Sequence, residues 1–172
     1  MKILHVCTGR ARQVRFGNQL ALSAIAKSAV DGPVEVRPLG LDGDEQADLS
    51  CHGGLSKAVY AYPSEHLPFW QTVRAQARVS LWDEPLPPGL LGENLLIEGV
   101  REHELWIGDR LRLPGCVLVV SEPRLPCSKF SGAYLAVLEP GTGQAGETFS
   151  LEPGPREVNL RELFRARSRA QR

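Results

Sequence analysis

Short segments in which apolar residues alternate with polar ones, or follow one another without a break, recur along this chain and predict strands. The most apolar segment, residues 116–120, predicts a buried strand. The other predicted strands cover residues 2–8, 34–39, 57–62, 92–97, 105–107, 110–113, 133–138 and 147–151. We therefore expect a chain built largely from short strands.

Two hairpins are predicted from turn signals between these segments. Residues 23–30 fit either a short helix or a strand, and because Asp31-Gly32-Pro33 signals a turn, we favour a strand paired with residues 34–39. Gly108-Asp109 signals another turn, between residues 105–107 and 110–113.

Helical spacing is confined to two places. Apolar residues recur at helical intervals from Leu67 to Ala77, after Ser64, which can cap a helix. A second short helix is predicted from Val158 and ends in a cluster of arginines. The pattern as a whole indicates a mainly β fold, a closed or partly closed β-barrel with one or two short helices.

Composition narrows the class of protein further. The chain has 172 residues and a formal net charge of zero, with 17 Gly and 13 Pro, which favours strands and turns. We expect one domain over residues 1–164 and a basic C-terminal tail over residues 165–172. The neutral balance gives no indication of nucleic acid or a membrane as a partner, and no apolar run has signal-peptide or membrane-spanning length. A cytoplasmic protein is therefore expected.

Cys127 is the first candidate for chemistry. The four cysteines, Cys7, Cys51, Cys116 and Cys127, are scattered without a C-x-x-C pair, so neither a disulfide framework nor a structural zinc site is indicated. Cys127 follows the buried strand after two prolines, and Arg124 can favour its thiolate or bind an anion. The alternative is a Pro-rich turn that carries a buried, unreactive thiol.

A glycine-rich loop over residues 40–54 is the second candidate. In His52-Gly53-Gly54 the glycines allow the backbone to approach a ligand closely, and their amides can bind an anion. The alternative is an ordinary loop with an exposed histidine. Asp44, Asp48 and His52 match no known spacing of metal ligands.

Four segments taken together resemble the MOSC domain, the module related to the C-terminal part of molybdenum-cofactor sulfurase, in its stand-alone bacterial branch. They are residues 40–60, Glu65-His66 with Trp70, Gly92-Glu93-Asn94-Leu95 followed by Ile107-Gly108-Asp109, and residues 121–127. The resemblance implies a MOSC-type β-barrel and a site for the molybdenum cofactor (molybdopterin), with Cys127 as metal ligand and catalytic residue. Groups suited to hold the cofactor are His52, Gly53, Gly54, Lys57, Asn94 and Arg124.

The expected function is reduction of N-hydroxylated small molecules, with electrons from a separate electron-donor protein, because the chain has no flavin, haem or iron–sulfur motif. A homodimer is left open. The alternative is a cofactor-binding or sulfur-carrier module without turnover, and a third interpretation is a degenerate barrel kept for interactions. Two features depart from the family pattern. The segment after Cys127 is shorter than in relatives, and Ala136 stands where the next strand usually has an arginine. Both departures affect the expected binding of substrate more than the expected fold.

Overall fold

The computed structural model describes residues 1–49, 52–124 and 132–170. The helices are α1 (Leu67–Gln76) and α2 (Leu160–Ala170). The strands are β1 (Lys2–Thr8), β2 (Arg12–Phe16), β3 (Gln19–Ser23), β4 (Ser28–Ala29), β5 (Val34–Arg37), β6 (Gly40–Leu41), β7 (Val59–Pro63), β8 (Leu95–Glu98), β9 (Arg110–Arg112), β10 (Val117–Pro123), β11 (Ala133–Glu139), β12 (Gly141–Gly143) and β13 (Ser150–Glu152). The protein is mainly β with two short helices, as predicted.

An eight-stranded sheet forms the body of the fold, with the order β13-β9-β10-β11-β7-β8-β1-β4. Its strands pair antiparallel except β7 and β8, which are parallel. A smaller sheet has the order β12-β5-β6, and β2 and β3 form a separate hairpin. The central strands of the large sheet are apolar on both faces because they are covered on both sides.

The large sheet curls but is not a closed barrel. Backbone hydrogen bonds join Ile3 to Glu147 (N to O, 2.9 Å) and Gly146 to Ile3 (2.8 Å), beside a bridge between Lys2 and Thr148. Residues 146–148 lead into β13, so these bonds draw opposite ends of the sheet order together. Among the described strands the closed form of the predicted barrel is wrong, and a partly closed sheet is what forms.

The predicted hairpin around Asp31-Gly32-Pro33 is also wrong. The short strand β4 pairs with β1, where Cys7 lies opposite Ala29, and β5 pairs with β6 and β12. Val34 and Val36 are buried in the core, and β5 forms a hairpin with β6, the next strand in the sequence. Another hairpin, β2 with β3, turns at Gly17 with φ of 61° and was not predicted as a pair of strands.

Residues 105–107 do not form a strand. The buried carboxylate of Asp109 accepts hydrogen bonds from the Trp106 backbone N–H (2.9 Å), the Gly154 N–H (2.7 Å) and Arg156 (2.9 Å). These bonds fold residues 106–109 into a turn. The predicted second hairpin is therefore wrong, and β9 pairs with β10 and β13 instead.

Helix α1 follows a 3-10 turn over Ser64–His66, and Pro68 lies in its first turn, where the ring is tolerated. The predicted apolar stripe is only partly buried. Leu67 and Trp70 pack against a small cluster around Tyr62, and the Trp70 indole N–H donates to the Tyr62 hydroxyl at 2.6 Å. Ala77 lies beyond the helix and is exposed.

Helix α2 begins after Asn159, whose side-chain oxygen accepts the Arg161 N–H at 3.0 Å and caps the helix. Leu160 is buried, and Arg167 is bonded to Glu122 of β10 at 2.9 Å, which fixes the helix on the sheet. Position 165, where we place the start of the basic tail, falls inside this helix.

The main hydrophobic core fills the curled sheet. Its most deeply buried members are Ile3, Val6, Val59, Ala61, Ile97, Leu105, Leu111, Leu118, Leu135 and Leu160. They come from segments distant in sequence, with Leu105 outside the strands and Leu160 in α2, so the core holds the strands and this helix together. In the part of the chain that the structure describes, no helix has the length and apolarity needed to cross a bilayer.

Candidate functional site

A cleft of about 550 Å³, here called the central cleft, lies where the glycine-rich loop meets the ends of several strands. Its lining residues are Leu22, Ser23, Ala24, Ile25, Lys27, Glu45, Gln46, Ala47, Asp48, His52, Gly53, Lys57, Tyr60, Gly92, Asn94, Arg124 and Tyr134. One wall is apolar and comes from residues 22–25, and the opposite wall is aromatic and cationic. A cleft of this size suits a small ligand or cofactor.

Five of the predicted cofactor-binding residues line this cleft together, namely His52, Gly53, Lys57, Asn94 and Arg124. They come from three separate parts of the sequence. Gly54 adjoins Gly53 but is not among the lining residues. Cys127, the predicted metal ligand and catalytic residue, lies outside the described residues, as does Cys51.

The loop takes its shape from its glycines. Gly53 and Gly54 have φ of 84° and 80°, a region that residues with a Cβ rarely adopt. A Cβ on Gly53 would also lie 3.1 Å from Leu49 and 3.2 Å from Gln46. After these glycines the chain enters a 3-10 turn that brings Lys57 to the cleft.

Hydrogen bonds hold this turn against β10. The Ser56 hydroxyl donates to Glu122 at 2.8 Å, and the Ser121 hydroxyl donates to the Ser56 carbonyl. The loop over residues 42–57 therefore contacts β10 near the end of the strand that is followed by Arg124. Cys127 comes three residues after Arg124 in the sequence.

His52 and Tyr134 form a polar pair on the cleft wall. His52 Nδ1 and the Tyr134 hydroxyl share a hydrogen bond of 2.8 Å. Burial lowers the pKa of His52, and the positive charges of Arg124 and Lys57 lower it further, against an opposing effect of Asp48. The lowered pKa favours the neutral form of His52 near pH 7.

Arg124 is buried, with 6% of its surface exposed, and its guanidinium carbon lies 4.5 Å from the centre of the Tyr60 ring. This cation–π contact orients the guanidinium. Its backbone N–H donates to the Gly132 carbonyl at 3.0 Å, which joins the two ends of the segment that carries Cys127. A fixed arginine at this point can bind an anion with little loss of side-chain entropy.

The floor of the cleft is a buried ion pair. Lys27 Nζ lies 2.6 Å from Asp44 Oδ2, and the side chains are 8% and 0% exposed. Asp44 also accepts the Gly9 N–H at 2.9 Å and an Asn94 amide N–H at 2.9 Å. Burial lowers the pKa of Lys27, and the charge of Asp44 opposes that shift. Asp44 thus ties three segments of the cleft together.

Asn94 lines the cleft, and its side-chain amide is bonded to other groups of the protein. Its Oδ1 accepts the Tyr60 N–H at 3.0 Å, and its two amide protons go to Asp44 and to the Cys7 carbonyl, at 2.9 and 3.2 Å. The neighbouring Glu93 is buried and accepts the N–H groups of Gly89 and Leu91, at 2.7 and 3.0 Å. Burial raises the pKa of Glu93. Glu93 and Asn94 thus hold residues 89–94 in the turn that borders the cleft.

Two thiols are structural. Cys7 and Cys116 are buried, and burial raises their pKa values to about 12 and about 11. Both thiols are therefore protonated and unreactive at neutral pH, as predicted for packing residues. Among the described residues, no group of three or more His, Cys, Asp and Glu side chains could hold a metal ion.

Comparison with known proteins places the chain in a family. The pattern of the MOSC domain matches residues 48–134, which include His52-Gly53-Gly54, Asn94, Arg124 and Tyr134. The uncharacterized protein YflK of Bacillus subtilis is 32% identical over 167 residues, covering 87% of this chain and 72% of YflK. The chain belongs to the MOSC domain family.

Other proteins similar to this MOSC chain differ in length. Protein YiiM of Escherichia coli is 38% identical over 137 residues, covering 77% of this chain and 59% of YiiM. A protein named Reductase from Gibberella moniliformis is 33% identical over 189 residues, covering 96% of this chain but only 32% of that protein. The crystal structure of YiiM from Geobacillus stearothermophilus superposes with a TM-score of 0.73 at 25% identity, covering 99% of this chain and 85% of YiiM.

Sequence reasoning missed several residues of this MOSC site. Lys27 lies in an irregular segment, and its partner Asp44 was considered only as a weak metal ligand. Tyr60 and Tyr134 were predicted only as strand residues, and the structure shows that both line the cleft. The apolar wall from residues 22–25 carries no sequence signal, because only the fold brings it to the cleft.

Proposed function

We propose that this MOSC protein binds the molybdenum cofactor in the central cleft and reduces N-hydroxylated small molecules, with electrons from a separate electron-donor protein. The observation that carries the proposal is the convergence of His52, Gly53, Lys57, Asn94 and Arg124 on one cleft beside the chain that leads to Cys127. The similarity to a protein named Reductase is in keeping with it.

The chemistry of the cleft fits the cofactor. The cofactor carries a phosphate and a flat pterin with several polar atoms. Arg124 and Lys57 supply positive charge, and the glycine-rich loop places Gly53, whose backbone amide can bind an anion, on the cleft lining. Tyr60 and Tyr134, whose ring centres lie 5.8 Å apart, also line the cleft. The residues present therefore suit an anionic group.

Cys127 is the proposed metal ligand. It follows Arg124 by three residues, and three residues of chain span at most about 11 Å, so its reach from the cleft wall is short. A thiolate is a soft ligand that suits a metal held by sulfur. When bound, the cofactor supplies the redox chemistry for removal of the hydroxyl oxygen.

The chain's own residues bind and supply protons. Reduction of an N–OH group takes up two electrons and two protons, breaks the N–O bond and releases water. Arg124 and Lys57 hold the anionic group, and the His52–Tyr134 pair holds a proton at a hydrogen bond of 2.8 Å on the same wall. Leu22 and Ile25 add apolar side chains to the cleft lining.

A reductase assay tests the proposal. Protein from a molybdate-replete host is given a reduced viologen and benzamidoxime, and formation of benzamidine is followed. We expect turnover that Cys127→Ala abolishes and Arg124→Ala strongly lowers, at matched molybdenum content. Cys116→Ser is the matched control, since its thiol is buried and protonated, and it should keep full activity.

The carrier function remains the second candidate, and the short connection between β10 and β11 favours it. These strands pair up to Pro123 and Ala133, and Arg124 is bonded to Gly132, so only seven residues, 125–131, separate the bonded ends. The resemblance to MOSC domains implies a longer segment at this point, so the connection is short for a member of the family. Bound molybdenum with no turnover above free cofactor would favour the carrier over the enzyme.

A further inference from the structure

A second cleft of about 580 Å³, here called the helix cleft, opens between α2, residues 101–103 and the end of β10. Three arginines line it: Arg101 on one side, and Arg161 and Arg165 on the other. The two helical arginines are four residues apart, so they lie on one face of α2. None of these residues contributes to the central cleft.

The charge of the helix cleft is not neutralised within the described part of the chain. There, the exposed arginines Arg37 and Arg112 have carboxylates within ion-pair distance, at 2.6 and 2.5 Å, but no ion pair forms to Arg101, Arg161 or Arg165. The one acidic residue that lines the cleft, Glu102, is bonded to His66 at 2.8 Å. Three arginines and one carboxylate thus line one concave space, and positive charge is in excess there.

The floor of the same cleft is apolar. Leu160 is buried with 1% of its surface exposed, and Phe164 and Pro123 also line the space. Small-molecule sites combine such a floor with a few charged groups at the rim, in volumes of about 300–1,000 Å³. A guanidinium fork matches the oxygens of a phosphate, and paired forks bind it most firmly.

We propose that the helix cleft is a binding site for a small organic phosphate. Arg161 and Arg165 hold the phosphate with Arg101 opposite, and the apolar body of the ligand rests on Leu160 and Phe164. The two clefts lie back to back, because Pro123 lines the helix cleft and the next residue, Arg124, lines the central cleft. The proposal does not depend on cofactor binding in the central cleft.

The test is a titration by calorimetry with adenosine monophosphate, adenosine and inorganic phosphate as probes. We expect the monophosphate to bind more tightly than adenosine or inorganic phosphate, since it alone carries both a phosphate and an organic body. Arg161→Gln with Arg165→Gln should weaken that binding by about tenfold or more, the loss expected when charged hydrogen bonds are removed. Glutamine is a good helix former, so far-UV circular dichroism should be unchanged.

Lys2→Gln with Arg110→Gln is the matched control, because it removes the same charge from exposed residues that line neither cleft. It should leave the affinity unchanged. In parallel, amide NMR signals of α2 should shift with the monophosphate, and those of Gly53 and Gly54 should not.

Four results of these experiments would overturn the proposal, and a fifth concerns a protein ligand. They are equal affinity for adenosine and its monophosphate, equal loss in the control, shifts confined to Gly53 and Gly54, and no binding at millimolar concentration. Binding of an acidic protein without binding of the small phosphate would also overturn it.

Discussion

Replacement of Asp44 by asparagine removes the charge that neutralises Lys27 on the floor of the central cleft. The two side chains are 0% and 8% exposed, so the lysine left behind would be a buried charge without its counter-ion. Removal of one partner of a buried pair costs about 3–5 kcal/mol. Asparagine keeps one oxygen for the Gly9 N–H, so we expect the lower end of the range, about 3 kcal/mol in the free energy of unfolding.

Urea unfolding followed by far-UV circular dichroism measures this effect. With a slope of about 2 kcal/mol per molar urea, the midpoint should fall by about 1.5 M. Glu35→Gln is the matched control, because it breaks the exposed ion pair with Arg37 and should leave the midpoint unchanged. The double variant Lys27→Met with Asp44→Asn should recover part of the loss, since it removes both charges.

The reasoning fails if Asp44→Asn unfolds at the same urea concentration as Glu35→Gln. It also fails if the effects add, so that the double variant is less stable than Asp44→Asn by the loss measured for Lys27→Met alone. Either result would mean that the pair is hydrated or that Lys27 finds another counter-charge.

Three further predictions concern individual side chains. The NMR pKa of His52 should lie below 6.5, the ordinary value, and should rise in Lys57→Gln, because a cation that lowers it is gone; an unchanged pKa would contradict the assigned cause. The free energy of unfolding should fall as pH rises above 9, because Cys7 and Cys116 ionise in the unfolded chain near 9 but in the folded protein only near 12 and 11. Cys7→Ala with Cys116→Ala should flatten that slope, and an identical slope would refute it. Asn94→Ala should lower the free energy of unfolding by about 2 kcal/mol or more, because the Tyr60 N–H and the Cys7 carbonyl lose partners; a loss below 1 kcal/mol in urea unfolding would mean that water replaces the amide.

The sequence predicted the strands whose burial makes them continuously apolar. Residues 2–8, 116–120 and 133–138 contain strands, and most of their apolar residues are buried, such as Ile3, Leu118 and Leu135. Pairing was less predictable, since the partner of a strand depends on distant segments. Val34 and Val36 are buried in the core. Strand β5 pairs with β6 and β12, and not with residues 23–30 across the turn at residues 31–33. The exposed hairpin of β2 and β3 has no buried face to mark it.

The site was predictable where a motif keeps its residues close in sequence. His52, Gly53 and Lys57 lie in one loop, and Arg124 directly follows the buried strand, so the resemblance to MOSC domains located them. Lys27 was missed because its environment depends on Asp44, which is 17 residues away and reaches it only through the fold. Local pattern carries no information on such contacts.

The molybdenum content of the purified protein tests the central claim most directly. Wild type, Cys127→Ser, Cys116→Ser and the double variant Lys57→Gln with Arg124→Gln would be expressed in a molybdate-replete host and analysed by mass spectrometry for metal per chain. We predict stoichiometric molybdenum in wild type and in Cys116→Ser, with a large loss in Cys127→Ser and in the double variant. Equal molybdenum in all four, or none in wild type, would contradict cofactor binding at the central cleft.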